Sequence, residues 1–407
     1  MTEENGPSRA TEDAPETHVA AAQPYSVRLE FTGSGSEYFR IWIVNLLLTV
    51  CTLGLYYPWA KVRRLRYFYG NTVVDGQPLG FHGDPKQMLK GYLLVVALFA
   101  SYSVAQQVSP IAAALAFVLL AALWPALWKS SMQFRLANTS WRGLRFQFAG
   151  ALPGAYKAVA LFWVPLVLLI GLGAFWGGTQ AGGEGAIMTG QAVWLGLAFM
   201  AAVFLGSIVL MPFLFWNLKR YQHNHYVLAT QQSQFGVPLW DFYKLAFKLG
   251  GLGFVSLLVV MGVVLLGVSV LFSGGMSTPS NSWFGIGMLL IGVYAPIVAA
   301  MTSLKAMAAA MVQNLVWSNT ASSHLRFHSD LEALGLMGLA LKNFALTVLT
   351  LGLYWPFAAI ATQRMRLQAV TVAFSLAPDE LVLAALGKQG DTAGDAAGDI
   401  LGIDIGV

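Results

Sequence analysis

Two asparagines, Asn45 and Asn343, stand inside apolar runs near opposite ends of the chain, in the matching contexts Asn45-Leu46-Leu47-Leu48-Thr49 and Asn343-Phe344-Ala345-Leu346-Thr347. A primary amide among apolar side chains needs a hydrogen-bonding partner. Each is therefore expected to face protein or a cavity, either as an interhelical tie or as a contact along a solute pathway. Lys342 adds a charge to the second run, as a pathway residue or as a cation snorkelling to the interface. Lys61, Arg63, Arg64 and Arg66 follow Pro58-Trp59 directly. Cations bordering an apolar run fix topology and attract anionic lipid headgroups, each worth about 1 kcal/mol near the surface. Nucleic acid is not the expected partner, because these charges belong to no soluble binding module. His223 and His225 stand two apart without a convincing third ligand, so no metal site is assigned. No GxSxG, HExxH or GxxxxGK[ST] pattern occurs, and the apolar runs hold no carboxylate. The sequence thus names no catalytic residue and no cofactor, and it disfavours an intramembrane acid/base enzyme or a carboxylate proton relay.

The elements that must position these groups are membrane helices. Of 407 residues, 57% are hydrophobic and only 11% charged, against about a quarter charged in soluble domains, so the chain is a polytopic membrane protein. Six apolar runs approach the roughly 20 residues a spanning helix needs: Tyr92–Val108, Ile111–Trp128, Ala158–Trp176, Val193–Trp216, Gly250–Phe272 and Phe284–Thr302. Lys and Arg concentrate in Lys61–Lys90, Lys129–Lys157, Lys219–Lys248 and Lys305–Arg326, whereas the turns around Gln106-Gln107, Gly177–Gly190 and Ser273–Ser282 hold no basic residue. The basic loops are therefore expected on the cytoplasmic side of the membrane. Residues 1–26 read as a disordered tail rather than a signal peptide, residues 27–375 as the membrane domain, and the acidic, Gly/Ala-rich residues 376–407 as a flexible tail. The lone Cys51 excludes an internal disulfide and reads as a packing residue.

The basic loops repeat. Pro58, Pro125 and Pro212 each precede Asn71, Asn138 and His225 by the same interval, and Phe81, Phe148 and Phe235 follow at a second fixed interval. Gly83, Gly150 and Val237 come two residues later, then Lys90, Lys157 and Lys244 at a common offset from each Phe. The N-terminal Phe31-Thr32-Gly33 with Arg40 repeats the last part, and Asn319-Thr320 before Leu325-Arg326-Phe327 forms a looser fourth junction. This implies internal repeats separated by transmembrane hairpins. Between them a small cytoplasmic layer of β-hairpins is expected, for example Thr72–Val74 turning at Asp75-Gly76 toward Phe81. The three lysines would snorkel to anionic headgroups.

Phe39–Trp59 and Leu334–Phe357 are the exceptions. Full crossings would put Phe31 and Phe81 on opposite faces and would send Arg364 and Arg366 to the extracytoplasmic side. Hairpins turning at Leu53-Gly54 and Leu351-Gly352, with Pro58 and Pro356 starting the return legs, resolve both conflicts. The expected architecture is an all-α polytopic protein with six full transmembrane helices and two terminal re-entrant hairpins, the alternative being eight spans.

The blocks Phe31-x-Gly33, Thr52-Leu53-Gly54-Leu55-Tyr56, Pro58-Trp59-Ala60-Lys61-x-Arg63, Asn71-Thr72 and Phe81-x-Gly83 resemble the YjgN-like family of bacterial inner-membrane proteins, defined by a domain of unknown function. The resemblance runs from about Phe31 to Val370 and implies an inner-membrane location with cytoplasmic loops, and no activity or ligand. It departs at Ala358-Ala359 and after Arg366, where no Asn-Thr follows. Two functions remain: a transporter or channel-like protein for a small or lipid-like solute, with Asn45, Asn343 and Lys342 on its pathway, or a non-transporting membrane scaffold or envelope-homeostasis factor that binds partners or anionic lipids.

Overall fold

Asn71, Asn138 and Asn319 end their helices in one way. Each side-chain Nδ2 donates to the carbonyl four residues back at 2.8 Å, and the threonine that follows each also donates to the carbonyl four residues back. His225 holds the same place through Nδ1, 2.7 Å from the Tyr221 carbonyl. These side chains cap the last turn and release the backbone into a strand.

The computed structural model describes residues 25–165, 167–169, 171, 190–229, 231–273, 283–380 and 382–383. Of the turns read at Gly177–Gly190 and Ser273–Ser282, all but Gly190 and Ser273 lie outside them, as do most of both tails. Ten α-helices are described, in five successive pairs: α1 (Gly35–Cys51) with α2 (Tyr57–Gly70), α3 (Pro85–Val108) with α4 (Pro110–Ala137), α5 (Leu152–Val159) with α6 (Gly190–His223), α7 (Leu239–Ser273) with α8 (Trp283–Trp317), and α9 (Ala333–Leu349) with α10 (Trp355–Gln368). Six helical stretches within the three central pairs are long and apolar enough to cross a membrane. The mostly helical expectation and the six long helices therefore hold, but the chain is not all-α.

Thirteen short strands link the pairs: β1 (Tyr25–Arg28), β2 (Glu30–Phe31), β3 (Thr72–Val74), β4 (Gln77–Pro78), β5 (Gly80–Phe81), β6 (Thr139–Trp141), β7 (Leu144–Phe148), β8 (Tyr226–Leu228), β9 (Gln231–Gln232), β10 (Gln234–Phe235), β11 (Thr320–Ala321), β12 (Leu325–Ser329) and β13 (Val370–Phe374). Tight turns at Asp75-Gly76 and Arg142-Gly143 have positive φ at both central residues, which matches the twist of two-residue hairpins. The antiparallel pairings run β2-β3-β4, β5-β6-β7-β8-β9 and β10-β11-β12-β13-β1. Leu29, Leu79 and Ser233 join these runs as bends within single strands. Their amides donate to Val370, Thr72 and Tyr226 at 2.9, 2.9 and 2.8 Å. The pairing therefore closes on itself: β1, near the N-terminus, lies against β13, with Val27 opposite Val372.

One joint recurs at all five pairs. The amides of Thr32, His82, Ala149, Gly236 and Asp330 donate to the carbonyls of Asn71, Asn138, His225, Asn319 and Ala369 at 3.0, 2.8, 2.9, 2.9 and 3.0 Å. The fifth joint corrects the reading of the last junction: Ser329-Asp330-Leu331, not the Phe327 region, takes the Phe-x-Gly place, and Ala369-Val370 takes the Asn-Thr place. Arginines tie neighbouring pairs together. Arg66 Nη2 donates to the Gly83 carbonyl at 3.2 Å, and Arg364 Nη2 to the Gly33 carbonyl at 2.8 Å. The last pair thus holds the first as the first holds the second. Apolar side chains from successive hairpins, among them Trp141, Leu325, Val372, Phe374, Val74 and Leu228, pack together within the circle.

The two short terminal pairs match bond for bond. Thr49 and Thr347 Oγ1 donate to the Asn45 and Asn343 carbonyls at 2.6 and 2.7 Å, and Thr52 and Thr350 Oγ1 each donate to the carbonyl four residues back at 2.7 Å. Thr52 and Thr350 Oγ1 then accept from the amides of Tyr56 and Tyr354 at 3.0 and 2.9 Å. Leu53 and Leu351 have φ of 49°, followed by Gly54 and Gly352 at 91° and 93°, and the Gly amides reach back to the Thr49 and Thr347 carbonyls. This is a Schellman-type helix end, with Pro58 and Pro356 buried at the start of each return helix. Because β2 pairs with β3 and β12 with β13, each hairpin begins and ends in the same layer. The two hairpins also pack on each other, with Trp355 against Tyr38 and Trp42 at ring separations of 6.2 and 6.0 Å.

Candidate functional site

A cavity of about 520 Å3 opens between α2, α8, α9 and α10. Its wall carries Arg64, Lys305 and Arg366 and no carboxylate. Ring closure brings these cations together, since they come from the first, fourth and fifth helix pairs. The Arg64 guanidinium lies over the rings of Phe68 and Trp355, 5.6 and 5.5 Å from their centroids. That contact orients it without neutralising it. Arg366 is gripped by Gln313, donating from Nε to Oε1 at 2.8 Å while Gln313 Nε2 donates to the Arg366 carbonyl at 2.8 Å. Burial pulls the Arg366 guanidinium below its ordinary value, although an arginine stays charged at neutral pH.

The positive field extends around the circle. Burial, reinforced by the charges of Arg135 and Arg64, lowers the Lys61 ammonium from its ordinary value. Among the described residues the four ion pairs are Arg28 with Asp330, Arg142 with Asp75, Arg142 with Asp379, and Lys244 with Asp241. None involves the inner cations. The three cavity cations are exposed toward the opening, so their like charges face the open space with no carboxylate beside them.

Asn343 also lines the cavity and is 6% exposed. Its Nδ2 donates to the Ala358 carbonyl and to Thr362 Oγ1, both at 3.3 Å, while its Oδ1 is buried with no partner. Turning the amide over would set oxygen against the Ala358 carbonyl, so the orientation is fixed. Asn45 differs: Nδ2 donates to the Ala60 carbonyl at 3.5 Å, and Oδ1 accepts from Arg63 at 3.4 Å. Ala361 occupies the place in the second hairpin that Arg63 holds in the first, which explains the orphaned oxygen. Asn45 does not line the cavity.

The remaining expected residues disperse. Lys342 is exposed and outside the cavity wall. Of the cluster after Pro58, only Arg64 reaches the cavity. Lys61 lies over the Tyr57 ring at 5.9 Å, Arg63 serves Asn45, and Arg66 serves the ring joint. Lys90, Lys157 and Lys244 are exposed, Lys244 pairing with Asp241 at 3.1 Å. His223 and His225 bond to Thr320 and the Tyr221 carbonyl. Cys51 is exposed rather than packed. Lys305, Gln313 and Arg366 were not singled out from the sequence. One signal was available, since Arg135 and Arg366 hold the same place before their strands, three residues ahead of Asn138 and Ala369.

The family model described as "Bacterial protein of unknown function (DUF898)" matches residues 26–400. The inner membrane protein YjgN of Salmonella typhimurium strain LT2 is 26% identical over 357 residues, covering 84% of this chain and 87% of that protein. The inner membrane protein YjgN of Escherichia coli strain K12 is 32% identical over 146 residues, 35% of this chain and 36% of that protein. No solved structure matches the chain.

Proposed function

The chain belongs to the DUF898 family of bacterial proteins of unknown function, and we propose, from its cavity rather than from that membership, that it is an integral inner-membrane protein that passes a small or lipid-like solute along its terminal hairpins. Its relatives are named inner-membrane proteins, and six helices have the length and apolarity to cross. The terminal hairpins are too short to do so. The two helices of the first hairpin have 17 and 14 residues, about 26 and 21 Å at 1.5 Å per residue, against a hydrocarbon layer of about 30 Å. The tip leucines Leu53 and Leu351 are each 95% exposed, as residues meant for lipid are. We read the hairpins as re-entrant elements on the basic, cytoplasmic side, derived with the other pairs from internal repeats. Lipid would then fill the space above their tips.

The observation that carries this reading is the cavity against the second hairpin, with Asn343 in its wall. Purified protein in proteoliposomes should move a fluorescent phospholipid or a small solute. Asn343→Leu should slow that flux about tenfold, a loss of about 1.4 kcal/mol, whereas Asn45→Leu should leave it unchanged at matched thermal stability. Absence of flux across a broad solute and lipid panel would end the transport reading. The apolar filling of the strand circle favours a second reading, a scaffold that binds anionic lipids or partners without transport, because a packed apolar centre leaves the strand layer no polar passage.

A further inference from the structure

We propose that the cavity is a binding site for a phosphate-bearing headgroup of net negative charge, a deepening that rests on the lipid-like solute just proposed. Three cations, Arg64, Lys305 and Arg366, share one wall with no carboxylate. Among the described residues, no acceptor engages the Arg64 or Lys305 side chain, and Arg366 commits only Nε to Gln313. The Arg64 guanidinium is held by ring stacking and the Arg366 guanidinium by one amide grip, and their remaining N–H donors are free to bind beside the Lys305 ammonium. This arrangement suits an oxyanion with several acceptor oxygens, for which guanidinium forks are the matched partner. A zwitterionic headgroup would bring its own ammonium into the same field and be repelled.

The wall is also amphipathic. Phe344 and Trp355 line it beside the cations, and both belong to the short hairpin over which acyl chains would lie. The cavity volume of about 520 Å3 suits a headgroup and its glycerol rather than a whole lipid. The same chemistry could be met by a free phosphate ester, so the site is assigned to the phosphate group and its source is left to the experiment.

Native mass spectrometry of the detergent-purified full chain, titrated with phosphatidylglycerol, phosphatidylcholine or sn-glycerol 3-phosphate, tests this. One phosphatidylglycerol per chain should be retained, with phosphatidylcholine at least tenfold weaker. Arg64→Gln/Lys305→Gln/Arg366→Gln should weaken retention more than tenfold. Arg366→Lys, which keeps the charge, should hold it within a few fold. The exposed-cation control Lys90→Gln/Lys157→Gln/Lys244→Gln should leave it unchanged. Competition by sn-glycerol 3-phosphate would identify a free ester as the ligand, and retention despite it would identify the lipid. Equal loss in the exposed-cation control, or equal retention of phosphatidylcholine, would overturn the site. Binding without flux would defeat the transport reading and leave this one standing, and flux without selective binding would do the reverse.

Discussion

Ala373 is the most informative position for testing whether the strands form a closed circle. It lies opposite Ser26 on one side and opposite Arg326 on the other. Directly opposed antiparallel residues have Cα atoms about 4.5–5.5 Å apart, inside the roughly 4.4–6.8 Å that a disulfide spans. Ser26 and Arg326 are two strands apart, at about 9.6 Å from twice the interstrand spacing, beyond that reach. The Ser26, Ala373 and Arg326 side chains share the face opposite Val27, Val372 and Phe327, which point into the apolar filling. Substitution there leaves the filling intact. With Cys51→Ala removing the one native thiol, Ser26→Cys/Ala373→Cys should oxidise in membrane vesicles to an internally crosslinked monomer that migrates faster on a non-reducing gel. Arg326→Cys/Ala373→Cys should crosslink equally well, and Ser26→Cys/Arg326→Cys should not. Crosslinking of the Arg326 pair with none of the Ser26–Ala373 pair would show that the circle stands open at β1 and refute the closed arrangement.

Two further outcomes follow from geometry already described. A Cβ on Gly150 would lie 2.5 Å from the Phe148 ring and 2.6 Å from the Tyr221 hydroxyl, whereas at Gly236 the nearest atom is 3.6 Å away. Gly150→Ala should therefore cost about 1–3 kcal/mol and Gly236→Ala little, as read by thermal unfolding in detergent. At the second hairpin tip, Gly352→Ala forces a Cβ into φ of 93° with nothing nearby to gain and should cost about 1–2 kcal/mol, while Leu351→Gly should recover a similar amount of strain. Equal stabilities for both tip variants would contradict the turn geometry.

The legible parts of the sequence were those in which one residue type does one local job. Asn71, Asn138 and Asn319 announce themselves because the same amide closes each helix end. Gly33, Gly83 and Gly150 do so because the Phe two residues earlier lies where a Cβ would stand. The fifth joint was hidden because its bonds are made by backbone. Asp330 and Ala369 form the same amide-to-carbonyl link as Thr32 and Asn71, and a backbone link leaves no mark on residue type. The cavity was hidden for another reason. Arg64, Lys305 and Arg366 occupy unrelated places in their own segments, and only closure of the circle makes them neighbours. Asn343 was legible as a residue in need of a partner. That its oxygen lacks one follows from Ala361, a substitution that matters only once the two hairpins are compared bond for bond.

The strand that completes the circle, Val370–Phe374, leaves the ribosome after every other described strand and helix pair, and it serves both β12 and β1. Until it arrives, every upstream helix pair can already be formed, while the sheet shows two unpaired edges at β12 and β1. Such edges are templates for association with other chains. Biogenesis thus has a single late checkpoint. A chain stopped before residue 370 would be fully inserted yet unsealed, and cellular quality control would meet it as two bare strand edges rather than as exposed transmembrane surface.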